Sequence, residues 1–313
     1  MKHNIKITVI LILLFVLTQF IGLFIISFYN SPLKTLPYGM QPPVEVRESF
    51  SIYNLIITFI LAISLFFILT KIKAEKIIKV WFFVVIVIAL GLAFTPFFNV
   101  FLKIKEPYDS FIALAVGVII TYFKVIRRNL IIHNISEIII YPGISAIFIP
   151  FLDVVRIIIL LFIISLYDIW AVWHSDFMQK MAHYQINNLK IFTGFFIPYA
   201  DKKQKEKIKK IKEMSKGKNE KFFQEQIRKA KVKVNLAILG GGDIIFPLIT
   251  AGVFFIFFNF ISSLIIIFFS VLSLFVLFLL AEKGKFYPAM PFLTIGIYLG
   301  MILNWILISR GII

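Results

Sequence analysis

Two aspartates lie inside apolar runs, Asp168 within Ile157–Trp173 and Asp243 within Leu236–Ala251. A carboxylate at helix-centre depth in a bilayer costs about 2.5–3.5 kcal/mol even on lenient insertion scales, so such residues are rare and face a protein interior. Two carboxylates held close together cannot both ionise easily, and one of them keeps its proton. That leaves one base and one acid side by side. The base can take a proton from water attacking a peptide carbonyl while the acid protonates the carbonyl oxygen. The chemistry needs neither a metal nor a covalent intermediate.

The neighbours of the aspartates are as informative as the acids. Asp243 closes the run Gly240-Gly241-Gly242-Asp243. Three glycines cost a helix roughly 1 kcal/mol each relative to alanine, so they need a reason. Without Cβ atoms another backbone can approach the carboxylate closely, although a small-residue packing face would use the same residues. Further on, Tyr287-Pro288-Ala289-Met290-Pro291 opens a last apolar segment. Its prolines leave a first helical turn short of donors, and Ala289 is small enough for close packing. Alone, that segment reads as an ordinary proline-started helix.

The elements that must position these groups are membrane helices. Of 313 residues, 60% are hydrophobic and 37 are Phe, against roughly 45–50% apolar in soluble domains. Apolar stretches of about 20 residues recur, each able to cross a ~30 Å hydrocarbon core. The expected fold is all-α, a polytopic membrane bundle of nine transmembrane helices near 5–29, 50–70, 78–101, 110–126, 130–149, 151–173, 234–255, 257–281 and 288–309. Glu137 falls near the start of the fifth span, and Pro142-Gly143 in its middle predicts a kink or break. Ile5 to Phe28 exceeds a signal-peptide core and no small-x-small site follows, so it reads as a retained first span.

Charge gives the expected orientation. Basic residues crowd alternate connections, above all the stretch from Ser175 to Lys233, which has sixteen Lys and Arg against six Asp and Glu. That segment carries about +10 of the formal +17. The expected layout is spans one to six in 1–174, a basic cytoplasmic loop in 175–233, and spans seven to nine in 234–313. The N-terminus would then be cytoplasmic and the C-terminus extracytoplasmic in a multi-pass cell-membrane protein. Within the loop, Phe177–Pro198 reads as an interfacial segment or an extension of the sixth helix, and Lys202–Lys233 as a basic tether with loosely helical spacing. Counting from span ends at 1.5 Å per residue, Asp168 falls roughly 8 Å and Asp243 roughly 14 Å from the cytoplasmic face.

Other chemistries are disfavoured. The chain has no cysteine, which excludes disulfides and thiolate chemistry. His3, His133, His174 and His183 show no metal-binding spacing, so no metal or other cofactor is expected. The basic loop suits anionic lipid headgroups. It comes with no binding fold or aromatic stacking platform, so nucleic acid is not an expected partner.

Taken together, Tyr167-Asp168, Gly240-x-Gly242-Asp243 and Pro288-Ala289-Met290 resemble the YD, GxGD and PAL motifs of intramembrane aspartyl proteases, the presenilin and signal peptide peptidase family. Order, spacing, nine spans and a long loop between the sixth and seventh all agree with it. The resemblance implies that Asp168 and Asp243 are the catalytic pair. It also implies that Tyr167, Gly240, Gly241, Gly242, Pro288, Ala289 and Met290 shape the site or bind substrate. Met290 stands where the family has Leu, an exchange of similar volume. Gly241 fills the variable position, where a larger apolar residue is common. The long loop is cytoplasmic in presenilins and on the other side in signal peptide peptidases, so the charge pattern matches a presenilin-like microbial homologue. The resemblance implies single-span membrane proteins or remnant signal peptides as substrates, unwound locally and paired as a strand near the GxGD and PAL segments. Loop cleavage during maturation and a need for accessory subunits both stay open. Rival readings are a prepilin-peptidase-like GxGD protease, a proton- or cation-coupled transporter and a non-catalytic scaffold.

Overall fold

The structure is a computed structural model and describes residues 5–31, 34–40, 52–72, 74–173, 193–199, 204, 211, 235–281 and 287–312. Among these residues nine α-helices occupy the nine expected segments: α1 (Ile5–Tyr29), α2 (Ile52–Lys71), α3 (Glu75–Val100), α4 (Tyr108–Thr121), α5 (Leu130–Phe148), α6 (Val154–Trp173), α7 (Gly241–Phe257), α8 (Phe260–Leu280) and α9 (Ala289–Ser309). A π-helical turn, Tyr122–Ile126, extends α4, and a 3-10 turn, Ile149–Phe151, extends α5. With these extensions, seven helices are long and apolar enough to cross a membrane, and Gly241–Phe257 adds a shorter apolar helix.

The short helix is the central one. Along α7, Ile244, Leu248, Ile249, Ala251, Val253 and Phe254 are buried, joined in one core by Leu11 and Phe15 of α1, Ile157 and Leu161 of α6, and Leu293 and Ile297 of α9. A helix enclosed by its neighbours need not match the bilayer thickness. α8 and α9 approach closely because Gly296 lacks a side chain, and a Cβ there would lie 2.6 Å from the Cβ of Ser273. The outer helices instead show lipid-facing residues such as Leu13, Trp81, Phe162, Phe268 and Trp305.

Two sequence expectations change. α5 is helical through Pro142 and Gly143 and is not broken there. The glycine serves packing instead, because a Cβ on Gly143 would collide with the carbonyl of Ala89 in α3.

The second change is a small antiparallel sheet. β1 (Gly194–Tyr199) pairs with β2 (Asn235–Gly240), with Phe196 opposite Ile238 and Gly194 opposite Gly240. The seventh helix therefore begins at Gly241, not near 234, and 194–198 is strand rather than a surface or helical segment. Alternation explains it, since Ala237 and Leu239 are buried while Leu236 and Ile238 are exposed. The expectations for 177–192 and 202–233 otherwise lie outside the described residues, apart from 204 and 211.

α5 supports the sheet. The side chain of Asn134 accepts a hydrogen bond from the Phe196 N–H (2.9 Å) and donates one to the Phe196 carbonyl (2.7 Å), as a third strand would. Residues of β1 alternate between facing β2 and facing away, so Gly194, Phe196 and Pro198 all point their backbone toward the outer edge. His133 Nε2 lies 2.9 Å from the Gly194 carbonyl.

Candidate active site

Asp168 sits in α6 five residues before its end, buried, with Tyr167 half-buried beside it. Its partner comes from another helix. The N–H of Met290 donates to Asp168 Oδ2 (3.0 Å), and the backbone of Ala289 also hydrogen-bonds the carboxylate. Pro288 is the N-cap of α9, so Ala289 and Met290 hold first-turn N–H groups with no intrahelical acceptor. The carboxylate caps that helix end from outside, where the helix dipole favours negative charge.

Side chains farther along α6 and α9 fix this docking. Ser165 Oγ donates to Thr294 Oγ1 (2.6 Å), and Tyr298 donates to the Ile158 carbonyl (2.7 Å). The Pro288-Ala289-Met290 segment thus meets Asp168 through backbone groups. Pro288 and Met290 are buried and Ala289 half-buried.

Asp243 is the third residue of α7 and half-buried. It turns back on its own helix start and hydrogen-bonds the backbone of Gly240, the N-cap. The three glycines are not equivalent. A Cβ on Gly240 would lie 3.1 Å from Asp243 Oδ2, and one on Gly241 would lie 2.7 Å from the Tyr141 hydroxyl. On Gly242 it would meet only Phe246, at an ordinary 3.8 Å. Pro247 supplies no N–H to the Asp243 carbonyl one turn back. From α1, buried Gln19 donates to the Ile244 carbonyl (3.1 Å) and ties down the same turn.

The two aspartates are close enough for their charges to interact. The helix start needs correcting, because α7 begins at Gly241, so the second acid lies in the first helical turn and not nine residues along a helix. Tyr167 packs its ring toward Trp170.

Sequence reasoning missed the groups behind the site. Lys124, in the π turn after α4, pairs with Glu137 of α5, and both are buried. His133 Nε2 stands 3.8 Å from the same carboxylate. The signal was Glu137 itself, an acid inside an apolar run, whose partner thirteen residues earlier no local period reveals. Among the described residues no cluster of three His, Asp or Glu side chains could hold a metal.

The arrangement has relatives. A family model described as signal-peptide peptidase, presenilin aspartyl protease matches residues 9–310. Two structures of a presenilin family intramembrane aspartate protease, in C222 and P2 space groups, share the fold. The first has a TM-score of 0.58 at 16% identity, covering 96% of this chain and 99% of that one. The second has 0.58 at 15%, covering 95% and 96%. No curated protein matches the chain. With the family model spanning all three motifs, the transporter and prepilin-peptidase-like readings give way, and the chain belongs to the signal-peptide peptidase and presenilin family of intramembrane aspartyl proteases.

Proposed function

We propose that Asp168 and Asp243 are the catalytic pair of this protease. The observation that carries the reading is that the two acids, from different helices, interact at one end of the bundle, each bonded to backbone at a helix start. In the reaction one carboxylate takes a proton from water as the water oxygen bonds to the peptide carbonyl carbon. The protonated carboxyl gives its proton to the carbonyl oxygen, making a tetrahedral diol. Collapse of the diol breaks the C–N bond, and the leaving nitrogen receives a proton. Gly240, Gly241, Gly242, Pro288, Ala289 and Met290 shape the site around that diol, with Tyr167 at its edge.

The substrate is a single membrane-spanning helix or a remnant signal peptide, unwound near the scissile bond. An apolar cavity of about 390 Å³, lined among others by Thr58 and Ala62 of α2, Leu160 of α6 and Ile245, Phe246 and Ile249 of α7, starts one turn below Asp243 and suits an apolar helix. Among the described residues no strand pairs with the outer edge of β2, and Leu236 and Ile238 point their backbone away from β1, which suits a substrate strand. The whole chain acts as one membrane domain, with residues 175–233 as a basic cytoplasmic loop and the C-terminus outside.

Reconstituted with a transmembrane-helix substrate, the protein should yield products cut within the helix, read by mass spectrometry. Asp168→Ala and Asp243→Ala should each abolish them while the protein stays folded. Substantial cleavage by either variant removes the assignment.

A further inference from the structure

Tyr141 lies on α5 outside the three motifs, and its chemistry has so far found no use. Its side chain is buried, at 4% exposure, and its ring meets Phe195 of β1 edge-on, with centroids 6.4 Å apart at 82°. The hydroxyl faces Gly241, two residues before Asp243. A Cβ on Gly241 would lie 2.7 Å from the hydroxyl oxygen and 3.0 Å from the nearest ring carbon. The ring therefore fills, from another helix, the space that a side chain at position 241 would take.

Behind the ring sits Glu137, whose carboxylate neighbours the Tyr141 hydroxyl. One oxygen of Glu137 engages Lys124. The Tyr141 hydroxyl approaches that carboxylate closely enough for a loose hydrogen bond, yet neither it nor Oε2 has a partner of full hydrogen-bond geometry among the described residues. A buried polar atom without a partner is costly, and native folds keep few of them. Two adjoin here, beside the backbone that presents Asp243. Phe195 and α5 trap the ring, so the hydroxyl cannot swing toward solvent. With its proton turned to Glu137, the hydroxyl oxygen still keeps lone pairs that can accept a hydrogen bond.

We infer that Tyr141 is a further residue of the active site, reaching from α5 into the place left by Gly241 to offer a hydroxyl to the peptide backbone or the attacking water held beside Asp243. The inference rests on the dyad reading above. Glycine at 241 and tyrosine at 141 then form a matched pair, so each constrains what the other position tolerates.

The test is a double-mutant cycle in the reconstituted full-length protein, with Tyr141→Phe, Gly241→Ala and the two combined, measured as kcat and KM on the transmembrane substrate alongside thermal unfolding. Tyr141→Phe keeps the ring, so the unfolding midpoint should hold or rise while turnover falls about tenfold, the scale of one hydrogen bond to the reacting complex. A fall in kcat alone assigns the hydroxyl to the water or the transition state, whereas a rise in KM as well assigns it to the bound peptide. Gly241→Ala should cost more than Tyr141→Phe, and the combined variant should be at least tenfold faster than Gly241→Ala alone, because the crowding oxygen has gone. Wild-type kcat and KM in Tyr141→Phe, or losses that simply multiply, would overturn the inference while leaving the dyad intact. Retained cleavage in Asp168→Ala or Asp243→Ala, run in parallel, would overturn the dyad reading and this inference together.

Discussion

Asp168 is held by another helix and Asp243 by its own. The first carboxylate depends on the docking of α9 against α6, through Met290, Thr294 and Tyr298. The second depends on the turn from β2 into α7, and on what presses against that turn, Tyr141 and Gln19. The site therefore has one tertiary joint and one local joint. Damage to the first separates the acids by moving a helix, whereas damage to the second reorients one acid without disturbing the bundle.

The largest effect should come from the local joint. Gly240→Val puts a branched side chain where even a Cβ would lie 3.1 Å from Asp243 Oδ2. Cleavage should fall at least about a hundredfold, with the unfolding midpoint near wild type, since misplacing a reacting group by about 1 Å can cost that much. An equal fall in stability and activity would mean the glycine is a packing residue and the contrast fails. The tertiary joint should give the opposite signature. Thr294→Val strands the buried Ser165 hydroxyl, so thermal unfolding should show a loss of about 1–3 kcal/mol, with roughly tenfold slower cleavage.

Gln19→Leu tests whether α1 contributes to the local joint. Losing the hydrogen bond to the Ile244 carbonyl should slow cleavage several-fold, about 1 kcal/mol of positioning, measured at saturating substrate. Unchanged cleavage would restrict the joint to Gly240 and Tyr141. The smallest effect belongs to Met290→Leu. Its backbone N–H donates to Asp168, and leucine keeps that donor and a similar volume, so cleavage should stay within about twofold and stability within about 1.5 kcal/mol. A large loss would show that the side chain, and not the backbone, positions the acid.

The sequence made the acids legible because residue type alone flags them, a carboxylate in an apolar run being rare enough to stand out. It made the helices legible because 20-residue apolar runs have few other readings. The strand before Gly241 was not legible. Asn235–Gly240 is short and apolar, adjoins a longer apolar helix, and pairs with residues some forty positions upstream, so no local period separates it from one more helical turn. Misplacing that boundary put Asp243 in the middle of a helix and not in its first turn. The support from α5 was hidden for a similar reason. His133, Asn134 and Tyr141 each look unremarkable in the chain, and their common purpose appears only once β1 lies across them, whereas Glu137 stands out by type but gives no local sign of its partner.

Asn134 has a consequence beyond holding β1. By occupying both backbone groups of Phe196, next to a Pro198 that has no N–H to give, it makes the sheet one-sided. A substrate peptide paired with the sheet as proposed would extend it along β2. On that reading, a fragment left on the edge after the cut would compete with the next uncut chain for the same hydrogen bonds. A short synthetic copy of the product should then act as a competitive inhibitor of cleavage.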